Sequence, residues 1–293
     1  MSIRTIWMLL KTTFSQWRQD RASLMAAALA YYTVFSLAPL LVIAIALAGA
    51  IFGEKAAKGE LVTQIQSLIG KDAASLIQTA IENASYLDPS QGIIPTLLNI
   101  GFLVLGASVV FNQLQKSLNI IWQVEPKPGN GIKHFLRKRL LSFSMVLAIA
   151  FLLLVSLVIS TMLVILGTYL KTFVPGYTYL WQVFNFLISY GLVTLLFAMI
   201  YKILPDAKIA WGDVWIGAGI AAVLFEIGKF LLGFYLGKTG LTSAYGAAGS
   251  LVSILTWVFY SAQILFLGAE FSQVYQKSNA KELITADRAQ SPA

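Results

Sequence analysis

Glu226 and Lys229 lie within Leu224-Phe225-Glu226-Ile227-Gly228-Lys229-Phe230, an otherwise apolar run. Placing a Lys or Asp at the centre of a membrane span costs roughly 2.5–3.5 kcal/mol, and Glu should be comparable. Three positions apart on a helix, the acid and the amine share a face and can neutralise each other. As a functional pair, Glu226 would accept a proton or cation while Lys229 pairs with it or contacts a substrate anion. The plainer role is a structural pair bonded to neighbouring helices. A second polar group follows downstream. Ser253, Thr256, Tyr260 and Gln263 fall on one helical stripe with Trp257 beside it, and Glu270 lies near the end of the same segment. Such a stripe lines a path or hydrogen-bonds to a neighbour. Gly240, Gly246 and Gly249 flank Tyr245 in the link before it, which suits a hinge or a short re-entrant turn.

Other chemistry is poorly served. The sequence has no Cys and one His, His134, so thiolate sites, iron–sulfur clusters and two-imidazole sites are excluded. Gly233 to Thr239 resembles a phosphate-binding loop, but three residues rather than four separate Gly233 from Gly237, and the run continues an apolar helix. Metal-dependent phosphodiester hydrolysis needs convergent carboxylates or histidines, whereas Asp20, Glu125, Asp206 and Asp213 are scattered singly. RNA binding would want an aromatic platform, and the basic loop offers only Phe135. No catalytic residue, metal site or cofactor is expected, nor a nucleic-acid partner; the expectation is a protein that is not an enzyme.

The elements that must position the polar groups follow from composition. Of 293 residues 58% are hydrophobic and 12% charged, about half the charge of a soluble domain. Six near-continuous apolar stretches, at about 26–52, 93–121, 140–167, 180–204, 214–236 and 251–271, are long enough to cross a bilayer as helices. The fold class is therefore all-α, a polytopic membrane protein forming one domain over residues 1–275. Pro39 should kink the first span. The second turns amphipathic after Phe111 and should project beyond the bilayer as far as Trp122. Residues 54–92 should carry two short amphipathic helices, split at Gly70, over the outer end of the bundle. Residues 276–293 read as a disordered cytoplasmic tail. Ala46-Leu47-Ala48 resembles a signal cleavage site, but the run before it is too long for a signal peptide, so retention is expected.

Charge sets the orientation. Basic residues before the first span, between spans two and three and four and five, and after the sixth outnumber those in the opposite loops by about three to one. Both ends of the chain should face the cytoplasm. The net charge of +8 then reflects topology and attraction to anionic headgroups, through Lys133, Arg137, Lys138 and Arg139 in particular. Within residues 2–20, Ile3, Ile6, Trp7, Leu10, Phe14 and Trp17 cover one face, flanked by Arg4, Lys11 and Arg18. That pattern suits a helix lying in the headgroup layer. Packing against the bundle is the alternative. Glycine-rich faces leave a homo-oligomer open.

Several blocks resemble the YihY/virulence factor BrkB family. They are Ala26-Ala-Ala-Leu-Ala-Tyr-Tyr-Thr-Val-Phe-Ser-Leu-Ala-Pro39, Asn119-Ile-Ile-Trp122, Leu204-Pro205-Asp206-Ala207, and Glu226-Ile-Gly-Lys229 with Tyr235. The most specific runs from Tyr245-Gly246 through Trp257-Val-Phe-Tyr-Ser-Ala-Gln-Ile264 to Leu267-Gly-Ala-Glu270. The similarity covers about residues 20–275. It implies a six-span bacterial inner-membrane protein, of a family once labelled ribonuclease BN and now described as uncharacterised or as candidate transporters. By position it singles out Glu226, Lys229, Tyr245, Gly246, Trp257, Tyr260 and Glu270. No substrate follows from it. A secondary transporter or flippase-like passage for an amphiphilic or anionic molecule is the leading expectation. The alternative is an envelope scaffold that organises lipids or partner proteins.

Overall fold

A computed structural model describes residues 3–52, 93–124, 177–238 and 248–290, with Gly59, Val62, Gln66, Ala74, Ser75 and 77–79 between the first two segments. Among the described residues all regular structure is helical: α1 (Ile3–Gln19), α2 (Ala22–Phe52), α3 (Ile93–Ile121), α4 (Tyr177–Ile203), α5 (Trp211–Lys238) and α6 (Ala248–Gln290). Stretches within α4, α5 and α6 are long and apolar enough to cross a membrane, and Ala22–Leu37 of α2 is a shorter apolar helix. The third span expected at 140–167 lies outside the described residues, as do Tyr245, Gly246, Lys133, Arg137, Lys138, Arg139 and most of the outer loop.

The helix ends have local causes. Arg21 adopts a left-handed φ of 53°, so the chain turns between α1 and α2 within two residues. Its carbonyl accepts from the Leu24 and Met25 N–H groups and opens α2. At the end of α3, Gln123 takes the same φ of 53°. Its N–H bonds to Ile120 O, and that of Val124 bonds to Asn119 O. Two such bonds around a left-handed residue form the Schellman closure that satisfies terminal carbonyls. The helix thus stops at Ile121, close to the Trp122 limit read from the sequence. α6 differs from expectation: it continues as helix to Gln290, where a disordered tail was expected from residue 276. No Gly or Pro interrupts residues 269–290, and Ala280, Lys281, Glu282 and Leu283 favour helix. The first proline after α6 is Pro292.

Neighbour contacts run in the order α4, α5, α6, α2, α3, with α1 laid against α6. The main core joins Met25 and Leu29 of α2, Leu114 and Leu118 of α3, Phe197 and Tyr201 of α4, Val214 and Ala218 of α5, and Phe266 of α6. A smaller cluster joins Ile45 of α2, Ile254 of α6 and Ile77. The stretch around Ile77, expected as an amphipathic stripe, therefore buries a residue between α2 and α6 at the far end of the bundle.

The seam between α5 and α6 is close because side chains are missing there. A methyl group on Gly217 would strike the Gly268 carbonyl oxygen and the Ser272 hydroxyl, and one on Gly268 would meet Tyr201 Oη and Ala221. Tyr201 is fully buried and donates to the Leu265 carbonyl at 2.8 Å, tying α4 to α6 across this seam.

Candidate functional site

Glu226 and Lys229 form an ion pair on α5 with Oε2 and Nζ 2.6 Å apart; their side chains are 15% and 36% exposed. Glu226 Oε1 is buried without a partner among the described residues. The acid therefore keeps acceptor capacity, and the amine is the more accessible partner. Beside them α4 and α5 diverge into a cleft of about 500 Å³, lined by Phe186, Leu187, Tyr190, Val223, Glu226, Ile227, Phe230 and Leu231. Glu226 is the one ionisable carboxylate in this lining; all the rest but the Tyr190 phenol are apolar. Leu187, Ile227 and Phe230 are exposed, so the cleft opens sideways, on the outside of the described bundle.

Aromatic packing fixes the wall behind the pair. Phe225 meets Phe197 of α4 edge-on at 6.0 Å and Trp257 of α6 at 5.8 Å. Tyr190 Oη donates to the Gly219 carbonyl at 3.1 Å, closing one end of the α4–α5 contact. Tyr260 of α6 lies over Gly228, leaving no room for a methyl group there, and its hydroxyl donates to Leu224 O at 3.3 Å. The glycine between Glu226 and Lys229 thus lets a tyrosine press against the turn that carries the ion pair.

The expected stripe on α6 does not converge on one path. The Ser253 and Thr256 hydroxyls donate to Gly249 O and Val252 O of their own helix. Tyr260 turns to α5, while Gln263 Nε2 donates to Ser23 Oγ of α2 at 3.0 Å. Trp257 packs on Phe225 and against the Ile45 cluster. Of the residues singled out from sequence, Glu226, Lys229 and Tyr260 come together, with Trp257 one layer behind.

Glu270 is elsewhere. Fully buried, it faces Asp20 in the α1–α2 turn within hydrogen-bonding reach, and Lys277 lies near both. Lys277 Nζ also donates to Gln123 Oε1 at the end of α3, 2.8 Å away. Both Glu270 oxygens, Asp20 Oδ2 and both amide atoms of Gln273 are buried without a donor or acceptor among the described residues, setting aside the facing carboxyls themselves. Burial raises the Asp20 carboxyl above its ordinary range, against the opposing pull of the Glu270 contact and Lys277. In the sequence Asp20 stands alone and no motif marks Gln273. The available signal was the i, i+3, i+7 run of Glu270, Gln273 and Lys277, which continues one face of α6 past the apolar segment.

The same end holds a junction that joins two sequence blocks. Asn119 Nδ2 donates to Asp206 Oδ2 at 2.9 Å, and Asn119 Oδ1 accepts from the Asp206 N–H at 2.8 Å. Gln276 Nε2 donates to Asp213 Oδ2 at 3.1 Å, and Lys202 donates to the Ile209 carbonyl. On α1, Leu9 and Thr13 are buried, whereas Trp7 is 71% and Phe14 56% exposed; Arg4, Lys11 and Arg18 are exposed as well. One face of α1 rests on α6 and the face carrying Trp7, Leu10 and Phe14 points away, while Trp17 packs against the main core. Among the described residues no three His, Cys, Asp or Glu side chains gather as a metal site would require.

Comparison with known proteins agrees in kind. The virulence factor BrkB family profile matches residues 13–292, reaching into α1 and the end of α6, beyond the 20–275 read from motifs. A UPF0761 membrane protein of Kangiella koreensis is 27% identical over 88% of this chain and 61% of its own length. One from Acinetobacter baylyi is 27% identical over 86% of the chain and 58% of its own; one from Coxiella burnetii is 29% identical over 89% and 90%. The chain thus spans about three-fifths of the first two relatives. No solved structure matches. A match over nearly the whole chain, on a bundle of apolar helices, makes this protein a member of the virulence factor BrkB family of membrane proteins.

Proposed function

We propose that this chain is a secondary transporter or flippase-like passage for an amphiphilic anion, not an enzyme. In this reading it crosses the bacterial inner membrane six times and has both ends of the chain in the cytoplasm. The observation that carries the reading is the ion pair at the edge of a laterally open, otherwise apolar cleft. An amphiphile needs both features: Phe186, Leu187, Val223 and Phe230 offer a surface for an acyl chain, and Lys229 a cation for a headgroup. Glu226 then acts as the resident counter-ion, keeping Lys229 neutralised until a substrate anion displaces it. That exchange lowers the cost of an unoccupied charge in a poorly solvated place. Alternating access would follow from α4 and α5 moving apart or together around the Tyr190–Gly219 contact.

Reconstitution in proteoliposomes tests this reading by transbilayer movement of a fluorescent anionic phospholipid. Lys229→Ala should slow movement of the anionic lipid more than of a zwitterionic analogue, and Glu226→Gln should weaken that discrimination. Wild-type rates for both folded variants would remove the pair from the mechanism. The envelope-scaffold alternative draws on α1, whose exposed Trp7 and Phe14 with Arg4, Lys11 and Arg18 suit an anionic bilayer surface. Absence of any lipid movement, with bilayer binding retained, would favour it.

A further inference from the structure

We propose that Asp20 and Glu270 form a proton-binding site, in which one proton shared by the two carboxyls clamps α1 onto α6. This inference does not depend on the transport reading. Two carboxyl groups facing each other offer only acceptors when both are ionised, and like charges in contact cannot both ionise cheaply away from water. One proton supplies the missing donor. Lys277 balances the remaining negative charge, and the group of three becomes neutral.

The surroundings point the same way. Glu270 is fully buried and Gln273, one turn on along the same face of α6, is 1% exposed, with neither amide atom partnered among the described residues. On the α1 side Gln16 Oε1 is also buried and has no partner among them. Unmatched polar atoms on both helices are what a site that gains and loses a proton leaves behind: the amides can turn toward either state of the carboxyls. The other charged groups at this end, among the described residues, are engaged or turned outward. Asp213 of α5 is held by Gln276, Lys277 is held at the end of α3 by Gln123, and Arg18, Arg21 and Lys116 are exposed. Residues 22–26 of α2 carry no charge. Loss of the proton leaves two facing carboxylates with one ammonium nearby, and the junction of α1 with α6 is where that repulsion is relieved.

The sequence has no cysteine, so engineered thiols report without background. Leu9 of α1 packs with Val274 of α6, and Ile45 of α2 with Ile254 of α6. In the full chain in lipid nanodiscs, the cross-linking yield of Leu9→Cys/Val274→Cys should fall as pH rises, although thiol oxidation itself speeds up. Ile45→Cys/Ile254→Cys should show no fall. Infrared difference spectra of the protein with native carboxyls should contain a carboxylic-acid band lost over the same interval. Glu270→Gln, which offers Asp20 a permanent donor, should abolish both the band and the pH dependence of the cross-link. The proposal is overturned by a cross-link that does not fall with pH, or by a titrating band that survives Glu270→Gln. It is equally overturned by a midpoint that moves with added sodium or magnesium, which would make the pair a metal-ion site. The cross-link in the native-carboxyl background decides the matter even if Glu270→Gln fails to fold.

Discussion

Asn119 and Asp206 show how much a single pair can fix. Asn119 is 4% exposed, and its amide gives and takes one hydrogen bond each with Asp206, holding the α4–α5 connection onto the end of α3. Asn119→Asp removes the donor and sets two carboxylates against each other, so it should cost on the order of 1–3 kcal/mol. The double variant Asn119→Asp/Asp206→Asn restores the donor from the other side and should recover most of that loss. Thermal unfolding in detergent checks both, and equal losses in the single and double variants would break the argument. The glycines make a second case. At Gly217 an added methyl group meets a backbone carbonyl, which cannot give way; at Gly228 it meets the Tyr260 ring, which can swing. Both should destabilise by about 1–3 kcal/mol as overpacked sites do, with Gly217→Ala toward the upper end. Gly228→Ala should regain stability when combined with Tyr260→Leu, and Gly217→Ala should not.

Helices were the legible scale, and their contents explain why. An apolar run of twenty residues leaves the backbone no partner but itself, so α2, α3, α4 and α5 fall within a few residues of where composition puts them. The pairing of Glu226 with Lys229 was legible too, because i and i+3 lie on one face whatever surrounds them. What Tyr260, Gln263 and Glu270 touch was not, since several helices share α6 and periodicity alone cannot assign its faces. Asp20 was missed for a related reason: its meaning comes from Glu270, some 250 positions away in sequence. α1 illustrates both sides. Most of its apolar stripe, Ile6, Trp7, Leu10 and Phe14, is exposed; Leu9 and Thr13, which dock it, lie outside that stripe, and only Trp17 at its end packs on the core. A pH effect belongs to this element. Asp20 has a raised pKa in the folded chain through burial, so the folded state binds its proton more tightly than the unfolded state. The stabilisation is present in acid, below the ordinary Asp range, and is lost as pH rises through the folded value. Asp20→Asn removes that loss. The variant's thermal midpoint should therefore gain on the wild type as pH rises above the ordinary Asp range, and a constant difference would refute the linkage.

At the scale of the whole molecule the described contacts divide into tight and loose. α5 and α6 meet through glycine and alanine, Tyr201 ties α4 to α6, and Ile45, Ile77 and Ile254 close the far end between α2 and α6. Interfaces packed this closely resist sliding, because interdigitated side chains must separate before they can move. The α4–α5 cleft is different: its walls are exposed aromatic and aliphatic side chains, and its charged wall residue holds an oxygen in reserve. If an amphiphile crosses along this molecule, the space it uses is there, and filling that space should stop it without disturbing the core. Val223 is suited to the test because it lines the cleft and is 45% exposed. Val223→Trp adds bulk to open space rather than to packed interior, so the thermal midpoint should hold while transbilayer lipid movement is lost. Val109→Trp on α3, at a position 40% exposed but away from the cleft, should change neither. Movement that survives the plugged cleft at the wild-type rate would place the path elsewhere, leaving Glu226 and Lys229 as a structural pair that holds the turn under Tyr260.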